Sequence, residues 1–399
     1  MRILYIAYAK SNEDLATLDI YTPIKELIKR GNIIHLVSMN DGTSSYKVRG
    51  KRGGTLKVYP ILPPISLSIL SVLTLYFSSF HLMLKIHKII QKTDPYLLIS
   101  SGCYSLPIIS FILSKMNKLK LIIIHRETNL ESIYFVSRHN IIIRFFAAIL
   151  MKLNHIIYKK VQYSLAISKS IELFLRNLLD LKNIITINLL CFDLNDVITL
   201  QKDRSKFAFN SEDIIILYSG SVDPVRRIDI LIDAFSEIVK KYNTTRLVIT
   251  GKTPYAYVIS DYLKKIKEMD LLERIRFLGF LPRKDILTLM KITDIFVDPY
   301  PRKVWTPSGK IIEYMAFGKC IITTDVFSHR YFIQDGINGL LFKPNNERDL
   351  ITKLDLALSN ECLRKHLGQN ARKTAEKLFD VKKVISEFEK FCVSVIGHR

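Results

Sequence analysis

Two stretches of this 399-residue sequence bring together the residue types that anion chemistry needs. The first is Ser219-Gly220-Ser221-Val222-Asp223-Pro224-Val225-Arg226-Arg227, between an apolar run and a helical pattern. A glycine at a strand end lets backbone approach a ligand closely. Arg226 and Arg227 then stand at a helix start, where free amides and the helix dipole already favour anions. Their guanidinium forks match phosphate oxygens. The second stretch runs from Thr306 through Pro307, Ser308, Gly309 and Lys310 to Glu313 and Gly318. Thr306 is the expected N-cap, Pro307 the first helical residue and Gly318 the closing one. Ser308, Gly309 and Lys310 then offer amides, a hydroxyl and an ammonium to a phosphate. Glu313 lies roughly 6 Å further along the axis at 1.5 Å per residue. A diphosphate at the helix start would leave a ribose within reach of that carboxylate. Neither stretch is a G-x-G-x-x-G fingerprint or a Walker A loop.

The elements that must position these residues alternate. Nearly continuous apolar runs, as expected for parallel strands buried on both faces, occur at 3–8, 33–38, 55–59, 96–100, 119–125, 164–167 and 184–187. Helical patterns lie between several of them, at 15–30, 106–116 and 141–161, and Ser168 can cap another. After the polar stretch 201–205 the alternation restarts. Strands are expected at 214–218, 247–250, 275–278, 295–298 and 320–323, and helices from about 226, at 256–269, 284–291 and 307–317, with an all-helical tail. This is an α/β chain of two doubly wound, Rossmann-like halves, joined near 195–210. Ligands of such folds bind at the carboxyl ends of strands, and the cleft between two domains is the expected site. The first domain is expected over 1–200 and the second over 201–380. The last helix, about 380–399, is a candidate to pack back on the first.

Composition narrows the partners. The chain carries 59 Lys+Arg against 37 Asp+Glu, a net +22, and is 48% hydrophobic, which excludes a disordered chain or a charged tail. Between Gly42 and Arg126 stand twelve basic residues and one acid, half the excess in about a fifth of the chain. Such a block calls for an anionic partner. Five scattered cysteines, with no C-x-x-C pair, exclude a disulfide framework and the usual zinc spacings. The opening strand lacks a signal-peptide pattern, so a reducing, cytoplasmic setting is expected. Ile61 to Leu84 holds no formal charge yet contains a double proline and five serines. It reads as a core helix, an in-plane membrane-docking helix or a span of about 20 residues.

Several motifs in order resemble the retaining glycosyltransferases of family 4, which have the GT-B fold, two Rossmann-like domains facing a central cleft. They are the glycine–arginine turn, Val248-Ile249-Thr250-Gly251, Phe277-Leu278-Gly279-Phe280 and Asp294-Ile295-Phe296-Val297-Asp298-Pro299. The Pro307-to-Gly318 helix and Asp335-Gly336-Ile337-Asn338-Gly339-Leu340-Leu341-Phe342 complete the set. The resemblance covers nearly all of 213–395; the first half matches through its opening strand, Lys29-Arg30-Gly31 and Ala166-Ile167-Ser168-Lys169. It implies a donor site for a nucleotide-diphosphate sugar, with Arg226 at the family's diphosphate-binding lysine and Lys310 near the phosphates; Gly220, Arg227, Gly251, Ser308 and Gly309 are further donor-binding candidates. Glu313 falls at the second glutamate of E-x7-E, which holds the ribose, and Phe277 and Leu278 lie where the base packs. The chain departs from the family at Trp305, in place of the first glutamate. It departs again at Ser221, where an arginine is usual, and at Arg227, where a glycine is usual. In the first domain, His125 and Glu127 of His125-Arg126-Glu127 are the candidate catalytic residues.

Glycosyl transfer builds positive charge on the sugar and negative charge on the departing diphosphate, which fixed cations and helix N-termini stabilise. No Asp-x-Asp pair is present, so a reaction without metal or other cofactor is expected. The reading is a nucleotide-sugar-dependent glycosyltransferase of hexosyltransferase type. The expected acceptor is lipid-linked or a cell-surface glycan, at the cytoplasmic face of the membrane, with an anionic membrane surface as partner and no nucleic acid. The alternatives are a basic nucleic-acid-binding protein, for which no motif is present, and a non-catalytic GT-B scaffold, suggested by Trp305.

Overall fold

The structure is a computed structural model and describes residues 1–7, 21–38, 47–60, 69–102, 106–126, 141–253, 255–300 and 305–397. Two compact units emerge: Met1–Cys191 with Val381–Arg399, and Phe192–Asp380.

The first unit is built on strands β1 (Arg2–Ala7), β2 (Ile33–Ser38), β3 (Lys47–Arg49), β4 (Thr55–Pro60), β5 (Leu97–Ser101), β6 (Lys120–His125), β7 (Tyr163–Ala166) and β8 (Ile184–Thr186). They form one sheet in the order β3-β4-β2-β1-β5-β6-β7-β8. All neighbours run parallel except β3 against β4. The apolar runs of β1, β5 and β6 are buried almost throughout, which is why they carry so little polar alternation. Helices α1 (Tyr21–Lys29), α2 (Ile69–Thr93), α3 (Leu106–Met116), α4 (Ile141–Lys160) and α5 (Lys169–Leu179) connect them. Ser168 caps α5, its hydroxyl accepting from the Ile171 amide at 3.4 Å.

The uncharged 61–84 stretch contributes the first two-thirds of α2 from Ile69 onward; 61–68 lie outside the described residues. Leu82, Ile86 and Ile90, one turn apart, are buried, whereas Lys85 and Lys88 are exposed, so this part of α2 packs by one face. Among the described residues no helix is long and apolar enough to cross a membrane.

The second unit opens with α6 (Leu194–Ile198) and a short 3-10 turn, Ser205–Phe207. Strands β9 (Ile214–Ser219), β10 (Thr245–Thr250), β11 (Ile275–Gly279), β12 (Ile295–Asp298), β13 (Cys320–Thr324) and β14 (Leu340–Phe342) follow. They form a wholly parallel sheet in the order β11-β10-β9-β12-β13-β14. Between them lie α7 (Ile228–Lys241), α8 (Ala256–Glu268), α9 (Arg283–Ile292) and α10 (Gly309–Phe317), and after β14 come α11 (Glu347–Ser359) and α12 (Glu361–Leu378). The final helix, α13 (Val381–Gly397), belongs to the first unit. There Arg30 donates to the Lys382 carbonyl at 2.7 Å and Asn32 to Glu389 Oε1 at 2.7 Å, over a buried seam of Val384, Ile385 and Phe388.

Helix α10 begins two residues later than the sequence suggests. Its N-cap is Ser308 rather than Thr306, and Pro307 lies outside the helix. The cause is local: the Thr306 carbonyl accepts the Tyr300 hydroxyl at 3.2 Å, which holds that peptide in the preceding loop. Gly318 does close α10, in the left-handed conformation with its amide donating to Met315.

Candidate active site

In the second sheet β9 is flanked by β10 on one side and β12 on the other, the point where strand order reverses. Crevices at such points, outside the carboxyl ends of the strands, are the ligand sites of open α/β sheets. Three neighbouring strands end there on glycines tied into a ladder. The Gly220 amide donates to the Thr250 carbonyl at 2.9 Å and the Gly251 amide to the Gly279 carbonyl at 2.8 Å. Gly220 and Gly251 both have φ of +147°, and a Cβ on Gly251 would lie 1.6 Å from the Gly220 carbonyl oxygen. Only bare backbone fits this approach.

The turn after Gly220 supplies the cations. Asp223 accepts the Ser221 hydroxyl at 2.7 Å, and a 3-10 turn, Pro224–Arg226, follows. Arg226 stands over the Tyr300 ring at 5.5 Å with its side chain one-third exposed; its Nε is 3.7 Å from Asp223. It is therefore poised at the crevice with only a loose partner. Arg227 behaves differently. It takes φ of +54°, the left-handed region, which accounts for the glycine usual at this place in the resembling family. Its guanidinium pairs with Asp229 at 3.0 Å and with Asn345. Arg227 is committed to these partners, and Arg226 is the cation facing the turn.

Helix α10 is clamped to β9 by Tyr314. Its hydroxyl accepts the Ser219 amide at 3.0 Å, and its ring stacks on Phe296 of β12 at 4.1 Å. That clamp brings the first turn of α10 to the strand ends. Ser308 is buried and its side chain makes no cap bond, so its hydroxyl and the first-turn amides of Gly309 and Lys310 are not used by the cap. The Lys310 ammonium lies 2.9 Å from Asp298 at the end of β12, against the Tyr218 ring at 4.1 Å. Burial pulls the lysine pKa below its ordinary value, against the attraction of Asp298. Burial raises the pKa of Asp298, but the Lys310 ammonium outweighs it and holds the carboxyl low. Glu313, nearly buried, pairs with Arg283 at the start of α9, 2.5 Å away. The Arg283 guanidinium also lies over Phe192 at 5.6 Å.

Phe277 and Leu278 are successive residues of β11 and so point to opposite faces. Phe277 stacks on Tyr262 of α8 and packs on the core, leaving Leu278 to the other face. Trp305 sits edge-on to Phe327 at 4.8 Å, and Phe327 to Tyr331 at 5.1 Å, so an aromatic group stands beside the site.

In the first unit His125 ends β6 and is 1% exposed. It meets Ser164 at 3.4 Å and the edge of Tyr158, and burial drives its pKa down to about 3. The ring is neutral and walled in. Glu127 lies outside the described residues. The structure thus gathers Gly220, Gly251, Arg226, Ser308, Gly309, Lys310 and Glu313 at the strand ends of one unit. Sequence reasoning missed Asp298, Tyr314 and Arg283 there; a lone acid closing the apolar run Ile295-Phe296-Val297 was the available signal for Asp298.

Residues 200–374, most of this unit, match the family described as Glycosyl transferases group 1. The second unit carries the group 1 domain of a glycosyltransferase. An uncharacterized glycosyltransferase of Methanocaldococcus jannaschii is 24% identical over 72% of each chain. The transferase from Campylobacter jejuni named N,N'-diacetylbacillosaminyl-diphospho-undecaprenol alpha-1,3-N-acetylgalactosaminyltransferase is 35% identical, over 25% of this chain and 26% of its own. Among solved structures, Anabaena HepE in complex with UDP superposes with a TM-score of 0.71 at 16% identity, over 99% of this glycosyltransferase and all of that chain. The fold is GT-B, two parallel-sheet α/β units.

Proposed function

We propose that this glycosyltransferase is a retaining enzyme that moves a hexosyl group from a nucleotide-diphosphate sugar to a lipid-linked or cell-surface glycan, without a metal ion. The observation that carries the reading is the meeting, at one switch point, of the α10 N-terminus, the glycine ladder and Arg226. The donor diphosphate would sit on the first-turn amides and the Ser308 hydroxyl with Arg226 over it. As the glycosidic bond to the diphosphate breaks, charge grows on the leaving oxygen, and preorganised donors and cations stabilise it. Glu313 would trade part of its bond with Arg283 for the ribose hydroxyls. The Campylobacter relative's name supports a polyprenyl-diphosphate-linked acceptor, and the Anabaena complex supports a uridine donor. Incubation with UDP-, GDP- and ADP-hexoses and an undecaprenyl-diphosphate-linked saccharide tests the reading. One donor should give a product with its anomeric configuration kept, at a rate EDTA leaves unchanged; loss of activity in EDTA, or an inverted product, would contradict it.

The proposal places the enzyme on the inner face of an anionic membrane, and the first unit supports this. A cavity of about 340 Å³ opens between the ends of α3 and α4 and the starts of β6 and β7. Lys115, Lys118, Lys120 and Lys160 line it with no acid among the lining residues, which include Tyr163. Ile112 and Met116 of α3 and Leu153 and Ile156 of α4 are exposed nearby in sequence. Each lysine near an anionic surface contributes about 1 kcal/mol. Replacing Lys115, Lys118 and Lys160 with alanine should therefore weaken co-sedimentation with phosphatidylglycerol vesicles roughly a hundredfold. Equal binding by the triple variant, or equal binding to phosphatidylcholine vesicles, would refute the docking face.

A further inference from the structure

We propose that Asp298 is a positioning residue of the donor site, holding the Lys310 ammonium charged beneath the Gly220 turn so that a fixed cation faces the nucleotide diphosphate. The inference rests on the nucleotide-sugar reading above. Its ground is a concentration of buried polar atoms without aligned hydrogen bonds. Both Asp298 carboxylate oxygens, the Lys310 ammonium, His329 Nε2 and Asp223 Oδ1 are in this state. The Asp298 side chain is 1% exposed and that of Lys310 13%, and they meet at 2.9 Å as an ion pair. As a stabilising device such a pair is poor, since its desolvation cost rivals its attraction and an apolar pair would pack as well. Its place explains it better. A Cβ on Gly220 would stand 2.9 Å from Lys310 Nζ, so only the bare face of a glycine covers the ammonium on that side. Burial of both side chains lowers the effective dielectric there.

The groups around Lys310 leave Asp298 as the one that sets its charge. Tyr218 of β9 presents its ring, and Arg226 and Asp223 of the 3-10 turn contribute opposite charges. His329, in the segment after β13, is neutral: its Nδ1 donates to the Thr324 carbonyl at 3.2 Å, and burial takes its pKa to about 4. The backbone of Asp298 is itself pinned, its carbonyl accepting the Thr323 hydroxyl at 3.1 Å, and Tyr300 packs on His329 at 4.9 Å. The backbone that carries the carboxylate is therefore fixed.

Calorimetric titration of the full chain with UDP, GDP and ADP from pH 7 to 9.5 tests this. With the diphosphate that binds, Asp298→Asn should lose affinity at lower pH than the wild type, by about one pH unit or more, with at least about tenfold weaker binding at pH 9. Asp298→Glu should restore the midpoint. Lys310→Met should bind weakly and flatly with pH, and adding Asp298→Asn to it should change nothing further. If Asp298→Asn does not fold, Lys310→Arg carries the test, because a guanidinium stays charged throughout and its affinity should be flat to pH 9.5. A wild-type profile in Asp298→Asn or Lys310→Arg, or an equal loss in the Lys310→Met background, overturns the proposal. Wild-type protein that binds none of the three diphosphates overturns the donor-site reading and this proposal with it.

Discussion

Glu313→Ala lowers sugar transfer by roughly a hundredfold to ten-thousandfold, at two charge-assisted hydrogen bonds of about 1.5–3 kcal/mol each. The carboxylate sits one turn into α10, nearly buried, and its partner Arg283 approaches from α9 at 2.5 Å. Two ribose hydroxyls donating to this group would be lost together in the alanine variant. The fold should survive, because the Arg283 side chain is 36% exposed and can turn to water when its partner is removed. Glu313→Gln should fall between, since an amide accepts through one oxygen only. The loss should appear with the cognate nucleotide sugar while the unfolding midpoint moves little. Full activity in Glu313→Ala would remove the ribose-reading role.

The largest structural effect is expected at Gly251. Alanine there would place its Cβ 1.6 Å from the Gly220 carbonyl oxygen, a backbone atom in the adjoining strand end. Relief requires the β9 and β10 ends to separate, breaking the ladder of Gly220 to Thr250 and Gly251 to Gly279. Strain at φ of +147° adds to this. The loss should exceed about 3 kcal/mol, the range of changes that rebuild a special backbone site. Gly279→Ala is the control: φ is +62° but nothing lies within 4 Å of the added carbon. It should cost only about 1 kcal/mol, the left-handed penalty alone. Urea unfolding of the two variants distinguishes close approach from backbone strain. Equal costs would show that the Gly220–Gly251 contact does not hold the strand ends.

Much of this is legible in the sequence. Parallel strands buried on both faces must be apolar runs, and residues such as Ile214–Tyr218 or Ile295–Val297 have no other stable place in a soluble domain. Strands β3 and β14, three residues each, fell below that signal, β3 being an edge bounded by Lys47 and Arg49. The start of α10 as a candidate phosphate site is legible from Ser308, Gly309 and Lys310, although its first turn is displaced because Tyr300 captures the Thr306 carbonyl. Pairings across the fold were not legible. Arg283 lies thirty residues from Glu313, and Lys310 twelve from Asp298, and only the tertiary approach of α9, α10 and β12 reveals either pair. His125 shows the converse: a histidine closing an apolar run looks like a site residue, but here the run continues into the core and takes the ring with it.

The central claim is that the strand ends of the second unit hold a nucleoside diphosphate. Isothermal titration of the full chain with UDP, GDP and ADP at neutral pH tests it most directly. One of the three should bind near micromolar, about −8 kcal/mol, and Arg226→Met should weaken it by at least about tenfold. No heat of binding with any of the three, or undiminished affinity in Arg226→Met, would contradict the account.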